Sequence, residues 1–128
     1  MDNVSYIKFD YKLIRTPRIK NSNIFAYAAN LTILNDNKIF LAIEDICIID
    51  FISKLSLYDG NDYFAFIPID STDRVLVFKR INSNIIEISS EWTMSVINID
   101  YNQLIESILK LKTSFEKKTK ICIDGYVR

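Results

Sequence analysis

Apolar and polar residues alternate from Val4 to Arg15, with Ile7, Phe9, Tyr11 and Leu13 on one side and Lys8, Asp10 and Lys12 on the other. A period of two predicts a half-buried β-strand. Thr16-Pro17 to Asn23 reads as a polar loop. Ile24 to Leu34 is the next strand, with Phe25, Tyr27, Ala29, Leu31 and Ile33 on one face. Asn35-Asp36-Asn37 is a tight-turn signal, because Asn and Asp tolerate positive φ. Lys38 to Ile43 then completes a hairpin.

The period changes at Glu44 to Tyr58. Ile48, Ile52 and Leu55 fall on a helical stripe, with Ile49 and Phe51 beside it. Asp45 can cap or occupy a first turn, Asp50 precedes Lys54 by one helical turn, and Gly60 can end a helix in the left-handed conformation. The stretch is also rich in β-branched residues, which leaves a buried strand as the rival reading. Beyond the polar turn Asp59-Gly60-Asn61-Asp62, strands are predicted at Tyr63 to Ile69, Arg74 to Ile81, Ile85 to Glu91 and Trp92 to Ile99. Pro68 keeps the first at an edge or ends it. Asp100 and Gln103 stand at capping-box spacing ahead of a helical stripe of Leu104, Ile108, Leu111 and Phe115. After Lys120 the tail reads as a final strand or a loose end.

The order is three strands, a helix, four strands and a helix. Short connections favour antiparallel neighbours. The expectation is an α+β fold, an antiparallel sheet of about six to eight strands packed by two helices. The length, 128 residues, fits a single domain spanning 1–128.

Composition narrows the chemistry. The chain has two glycines, so neither Gly-rich phosphate loop can be written. No apolar run reaches the roughly 18 residues of a membrane span. The start, MDNVSYIKFDYK, lacks a basic segment followed by an apolar core, so a cytoplasmic location is expected. Cys47 and Cys122, far apart in sequence, read as free thiols. The absence of histidine removes Ser-His and Cys-His pairs and histidine metal sites. No cofactor or metal is expected.

Net charge is zero, but its distribution is uneven. Residues 1–35 and 74–128 are each net +3, and residues 36–73 are net −6. Within the acidic third, Glu44, Asp45, Asp50, Asp59, Asp62, Asp70 and Asp73 could form one surface for a basic partner, and Tyr58 and Tyr63 flank the acidic turn as candidate contacts. Solvated turn chemistry is the plainer reading of the same acids. Nucleic acid is not the expected partner, because such modules are usually basic overall.

An antiparallel run, IIEISSEWTMSVINID, passes into a helix, YNQLIESILKLKTSF, in an Ile-, Asn- and Lys-rich chain of single-domain size without catalytic residues. In this layout the chain resembles the small bacterial immunity proteins that accompany polymorphic or contact-dependent growth inhibition toxins. The resemblance implies a cytoplasmic, non-enzymatic protein that binds and neutralises one cognate toxin domain, often a basic nuclease. The alternatives are a small enzyme using clustered carboxylates or a metal, and a structural or regulatory subunit of a larger assembly.

Overall fold

A computed structural model describes residues 4–17, 26–69 and 71–126. The alternating segments form seven strands in the expected order, but in two sheets rather than one. The first holds β1 (Ile7–Arg15), β2 (Ala28–Asn35) and β3 (Lys38–Cys47). The second holds β4 (Tyr63–Phe66), β5 (Leu76–Arg80), β6 (Ile85–Ser90) and β7 (Thr93–Asp100). Both are antiparallel meanders with neighbours in chain order. Ser5 forms a parallel bridge to Ile99, donating to the carbonyl of Asn98 at 2.8 Å. The chain thus leaves the edge of the second sheet as it enters the first.

Local chemistry accounts for the strand ends. Asp36 and Asn37 turn β2 into β3 with φ of 51° and 68°. Positive φ at both central residues is the twist a two-residue hairpin needs, and Asn and Asp bear it at low cost. β4 stops at Phe66, two residues before Pro68, which has no N–H for the ladder. The second strand, expected from Ile24, begins only at Ala28: Ala26 and Tyr27 are described but not in the ladder, and residues 18–25 lie outside the described residues.

The stretch from Glu44 to Tyr58 divides between the two readings it allows. Glu44 to Cys47 continue β3, and α1 runs Ile48–Leu55. Asp45 is therefore not the cap; Cys47 holds the cap position in an extended conformation. The helix ends on Ser56, whose N–H and hydroxyl both reach the carbonyl of Ile52. Gly60, with φ of 95°, shapes the turn beyond it instead of terminating it. The Asp50–Lys54 pair forms as spaced, at 3.0 Å.

The second helix, α2 (Tyr101–Thr119), starts where expected. The Asp100 carboxylate accepts from the Gln103 N–H at 3.2 Å. Gln103 does not complete the capping box: its amide reaches across to Ile7, accepting from its N–H at 2.9 Å and donating to its C=O at 2.8 Å. Lys120 closes the helix in the left-handed conformation, φ 63°. The tail is neither strand nor loose through Tyr126 but a 3-10 turn, Ile123–Tyr126.

One buried cluster joins the elements. Ile7, Phe9, Leu31 and Ile33 from the first sheet share it with Phe66, Phe78, Ile88 and Ile99 from the second, with Phe51 of α1 between them and Phe115 of α2 against Tyr11 and Tyr27. Phe51 packs edge-on to Phe66 at 4.9 Å and lies 6.1 Å from Phe9, so α1 is the pin between the sheets. Among the described residues no helix is long and apolar enough to cross a membrane.

Candidate partner-binding cleft

The acidic stretch begins at a break in the β2–β3 ladder. Ala29 faces Ile46 and Leu31 faces Ile43, so Asn30 alone stands against both Glu44 and Asp45. Such a bulge bends the strand and re-aims its side chains. Asp45 carries φ of 52°, and its N–H, out of the ladder, is taken by the Asn30 side chain at 3.0 Å. Its carboxylate lies 3.5 Å from the Arg15 guanidinium. Both groups are exposed, so the pair contributes no more than about 1 kcal/mol.

Five residues after Asp45, α1 brings Asp50 to the same cleft. This carboxylate is buried and depends on Lys54, whose ammonium also donates to the Ile67 carbonyl at 3.2 Å and sits 5.7 Å from the Phe66 ring. The opposite wall comes from the second sheet. Trp92, at the β6–β7 turn, is half exposed, and its indole N–H donates to Asp73 at 2.9 Å. Arg74 and Glu91 strap the turn to the preceding loop, through the Arg74 N–H to the Glu91 carboxylate at 2.8 Å. The result is a cleft of about 360 Å³ at the seam of the two sheets, with Glu44, Asp45, Asp50 and Arg15 on one side and Ile69 and Trp92 on the other.

Cys47 also lines this cleft and is half buried. Burial, the largest influence, pushes its thiol up from the ordinary cysteine value. A thiol so shifted is a poor nucleophile at neutral pH. Among the described residues no group of three or more His, Cys, Asp or Glu side chains could hold a metal ion.

The other candidates lie elsewhere. Asp59 and Asp62 follow the far end of α1, whose eight residues span about 12 Å at the usual helical rise. They belong to a turn wrapped around Arg80. The Tyr101 hydroxyl donates to the Asp59 carbonyl at 3.2 Å, Arg80 N–H donates to the Asp62 carbonyl at 2.9 Å, and the Arg80 side chain donates to the Gly60 carbonyl at 2.8 Å. The Asp59 and Asp62 side chains remain exposed. Tyr58 is not a surface contact. It is buried against Phe64 and Phe78, its hydroxyl donates to the Asn61 carbonyl, and burial pushes its phenol up. An aromatic three residues past the end of the apolar stripe continues its spacing and folds back onto the core, a result that flanking acids do not foretell. Tyr63 is exposed, on β4 opposite Lys79. Asp70 lies outside the described residues.

The acidic residues therefore divide into a cleft set, Glu44, Asp45 and Asp50 with Asp73 behind Trp92, and a turn set, Asp59 and Asp62. Arg15, Ile69 and Trp92 also line the cleft, and no motif in the sequence marks them. The available signal was the lone tryptophan in Ser90-Glu91-Trp92, where a polar pair between two strands marks a turn that exposes the ring.

Comparison of the chain with protein-family models, with curated proteins and with solved structures finds no significant match.

Proposed function

We propose that this chain is a non-enzymatic immunity protein that binds a basic toxin domain and neutralises it by occupying the groove where that domain holds its substrate. The observation that carries this reading is the seam cleft, whose lining joins the exposed Glu44 and Asp45 of β3 to a half-exposed tryptophan across a partly apolar gap, with the buried Asp50 of α1, paired to Lys54, beside them. Carboxylates on the walls of a cleft attract a cationic partner more strongly than the same charges spread over an open surface. A half-exposed tryptophan with its N–H already satisfied offers contact area and a ring face to a lysine or arginine. If the toxin is a nuclease, its active site is cationic because it must hold phosphates, so an acid-lined protein surface competes for the same groove. The thiol in the cleft is pushed toward its unreactive form, which favours binding over catalysis.

The test is affinity capture from the source cell, with identification of the neighbouring genes. The expected result is a tight partner encoded beside this gene, released by high salt, whose toxicity is suppressed by co-expression. A chain that captures no partner but turns over substrate in a metal-supplemented screen would make it an enzyme and overturn the reading.

A further inference from the structure

β1 is an edge strand, and one side of it faces α2 instead of another strand. In an antiparallel pair alternate residues turn their N–H and C=O groups outward. Ile7 is one of these, since both of its groups are taken by the Gln103 amide, and the Ser107 hydroxyl donates to its C=O as well at 2.9 Å. A side-chain amide, with one donor and one acceptor, here stands in for a paired strand residue. By the same alternation Phe9, Tyr11 and Leu13 face the open edge. Among the described residues the Tyr11 N–H is held by its own neighbour alone, the Asp10 carboxylate, at 3.1 Å. Among the described residues no hydrogen bond engages the N–H or C=O of Phe9 on this side. Beside this edge runs a groove of about 460 Å³, floored by Phe9 and Tyr11 and walled by Ser107, Lys110, Leu111 and Ser114 of α2.

Charge sets the kind of strand that fits. The basic ends of the chain, distant in sequence, are brought together here. Lys8 and Lys12 flank the open positions on β1, and Lys110, Lys117 and Lys118 follow along α2, against Asp10 and Glu106. Lys118 lies 5.8 Å from the Tyr11 ring. Among the described residues the one ion pair on this rim, Lys110 to Glu106 at 3.8 Å, is exposed on both sides and leaves the field basic.

We propose that the β1–α2 groove is a second interaction surface, which takes an extended acidic segment of a protein partner by adding it as a strand to β1. Main-chain hydrogen bonds to Phe9, Tyr11 and Leu13 fix the register, and Lys8 of β1 and Lys110 of α2, which line the groove, with Lys118 beside the Tyr11 ring, select acidic side chains. This surface does not depend on the acid-lined cleft.

The probe is a short blocked peptide alternating glutamate and valine, with two controls: the lysine–valine counterpart, and the glutamate peptide N-methylated at alternate residues so that it keeps its charge but cannot pair. Fluorescence anisotropy and amide exchange read the outcome on the full chain. The glutamate peptide should bind, slow exchange at Phe9 and Leu13, and weaken by about tenfold or more in a Lys8→Glu, Lys12→Glu variant, as expected for paired charges at a rim. Both sites are exposed, so the variant should keep the wild-type fold, checked by its melting temperature. Equal binding of the N-methylated peptide, equal binding of the lysine peptide, or unchanged exchange at Phe9 would each overturn the proposal. So would a concentration-dependent dimer that protects Phe9 without peptide, since the edge would then belong to a second copy of the chain.

Discussion

Gln103→Ala should destabilise the protein well beyond what its partly exposed position suggests. Ile7 is fully buried, and its N–H has one acceptor, the Gln103 carboxamide oxygen at 2.9 Å. Removing it leaves a buried donor unpaired, at a cost of about 1–3 kcal/mol. The Ile7 C=O keeps the Ser107 hydroxyl, so on that side the loss is one of two bonds, about 0.5–1 kcal/mol. The total is about 1.5–4 kcal/mol, with water entering from the neighbouring groove setting the lower end. Ser107→Ala alone should cost about 1 kcal/mol, because Gln103 still serves the carbonyl. The double variant strips it of both donors and should exceed the sum of the single losses by about 1 kcal/mol, since the two groups share one acceptor. Gln103→Glu is the control of equal size: as a carboxylate it sets an oxygen against the Ile7 carbonyl, and it should recover stability as pH falls and the acid gains a proton to donate. Urea titrations give the free energies and amide exchange at Ile7 the local effect. A Gln103→Ala variant within about 0.5 kcal/mol of wild type, with Ile7 exchange unchanged, would refute the argument that this amide replaces a strand.

Three further perturbations test other parts of the account. Gly60→Ala places a Cβ 2.7 Å from the Arg80 guanidinium and 2.9 Å from the Tyr101 ring at φ of 95°, and should cost about 2 kcal/mol by urea titration. At the bulge, Asp45→Gly should stay within about 0.5 kcal/mol of wild type, trading a weak exposed pair for relief of positive φ, whereas Asp45→Val should cost about 1–2 kcal/mol; equal effects would mean that the φ of 52° carries no strain. The Asp124 carboxylate, 2.8 Å from Lys112, raises the lysine above its ordinary value, chiefly through their hydrogen bond. A cation held this way stabilises the fold fully below the unfolded lysine value and loses that contribution as pH rises through the folded one. The melting-temperature gap between wild type and Lys112→Met should therefore be constant through neutral pH and close only above the ordinary lysine range.

The strand order and the start of α2 were legible because they rest on local signals: period-two alternation, the Asn35-Asp36-Asn37 turn and the Asp100 cap. What the sequence left open depends on distant contacts. The division into two sheets is set by Phe51 packing between Phe9 and Phe66, residues with nothing in the local pattern to pair them. The helical pattern starts at Glu44, four residues ahead of α1, because nothing local shows that Glu44 to Cys47 stay in β3 through a bulge opposite Asn30. Gln103 read as half of a capping box because its spacing was right, while its amide had a better partner in Ile7, far away in the chain. The acidic third was visible as composition, but its division into cleft and turn sets follows from α1 standing between them, and burial of Tyr58 follows from Phe64 and Phe78 arriving beside it.

The central claim is that the cleft carboxylates, and not acidic charge in general, hold the partner. The direct measurement is the association rate of the captured partner, as a function of salt, for wild type, for Glu44→Lys with Asp45→Lys, and for Asp59→Lys with Asp62→Lys. Each pair changes net charge equally. The cleft pair should slow association by about tenfold or more at low salt and flatten the salt dependence, while the turn pair should produce a distinctly smaller change. Equal slowing by both pairs, or unaltered binding by the cleft pair, would contradict it.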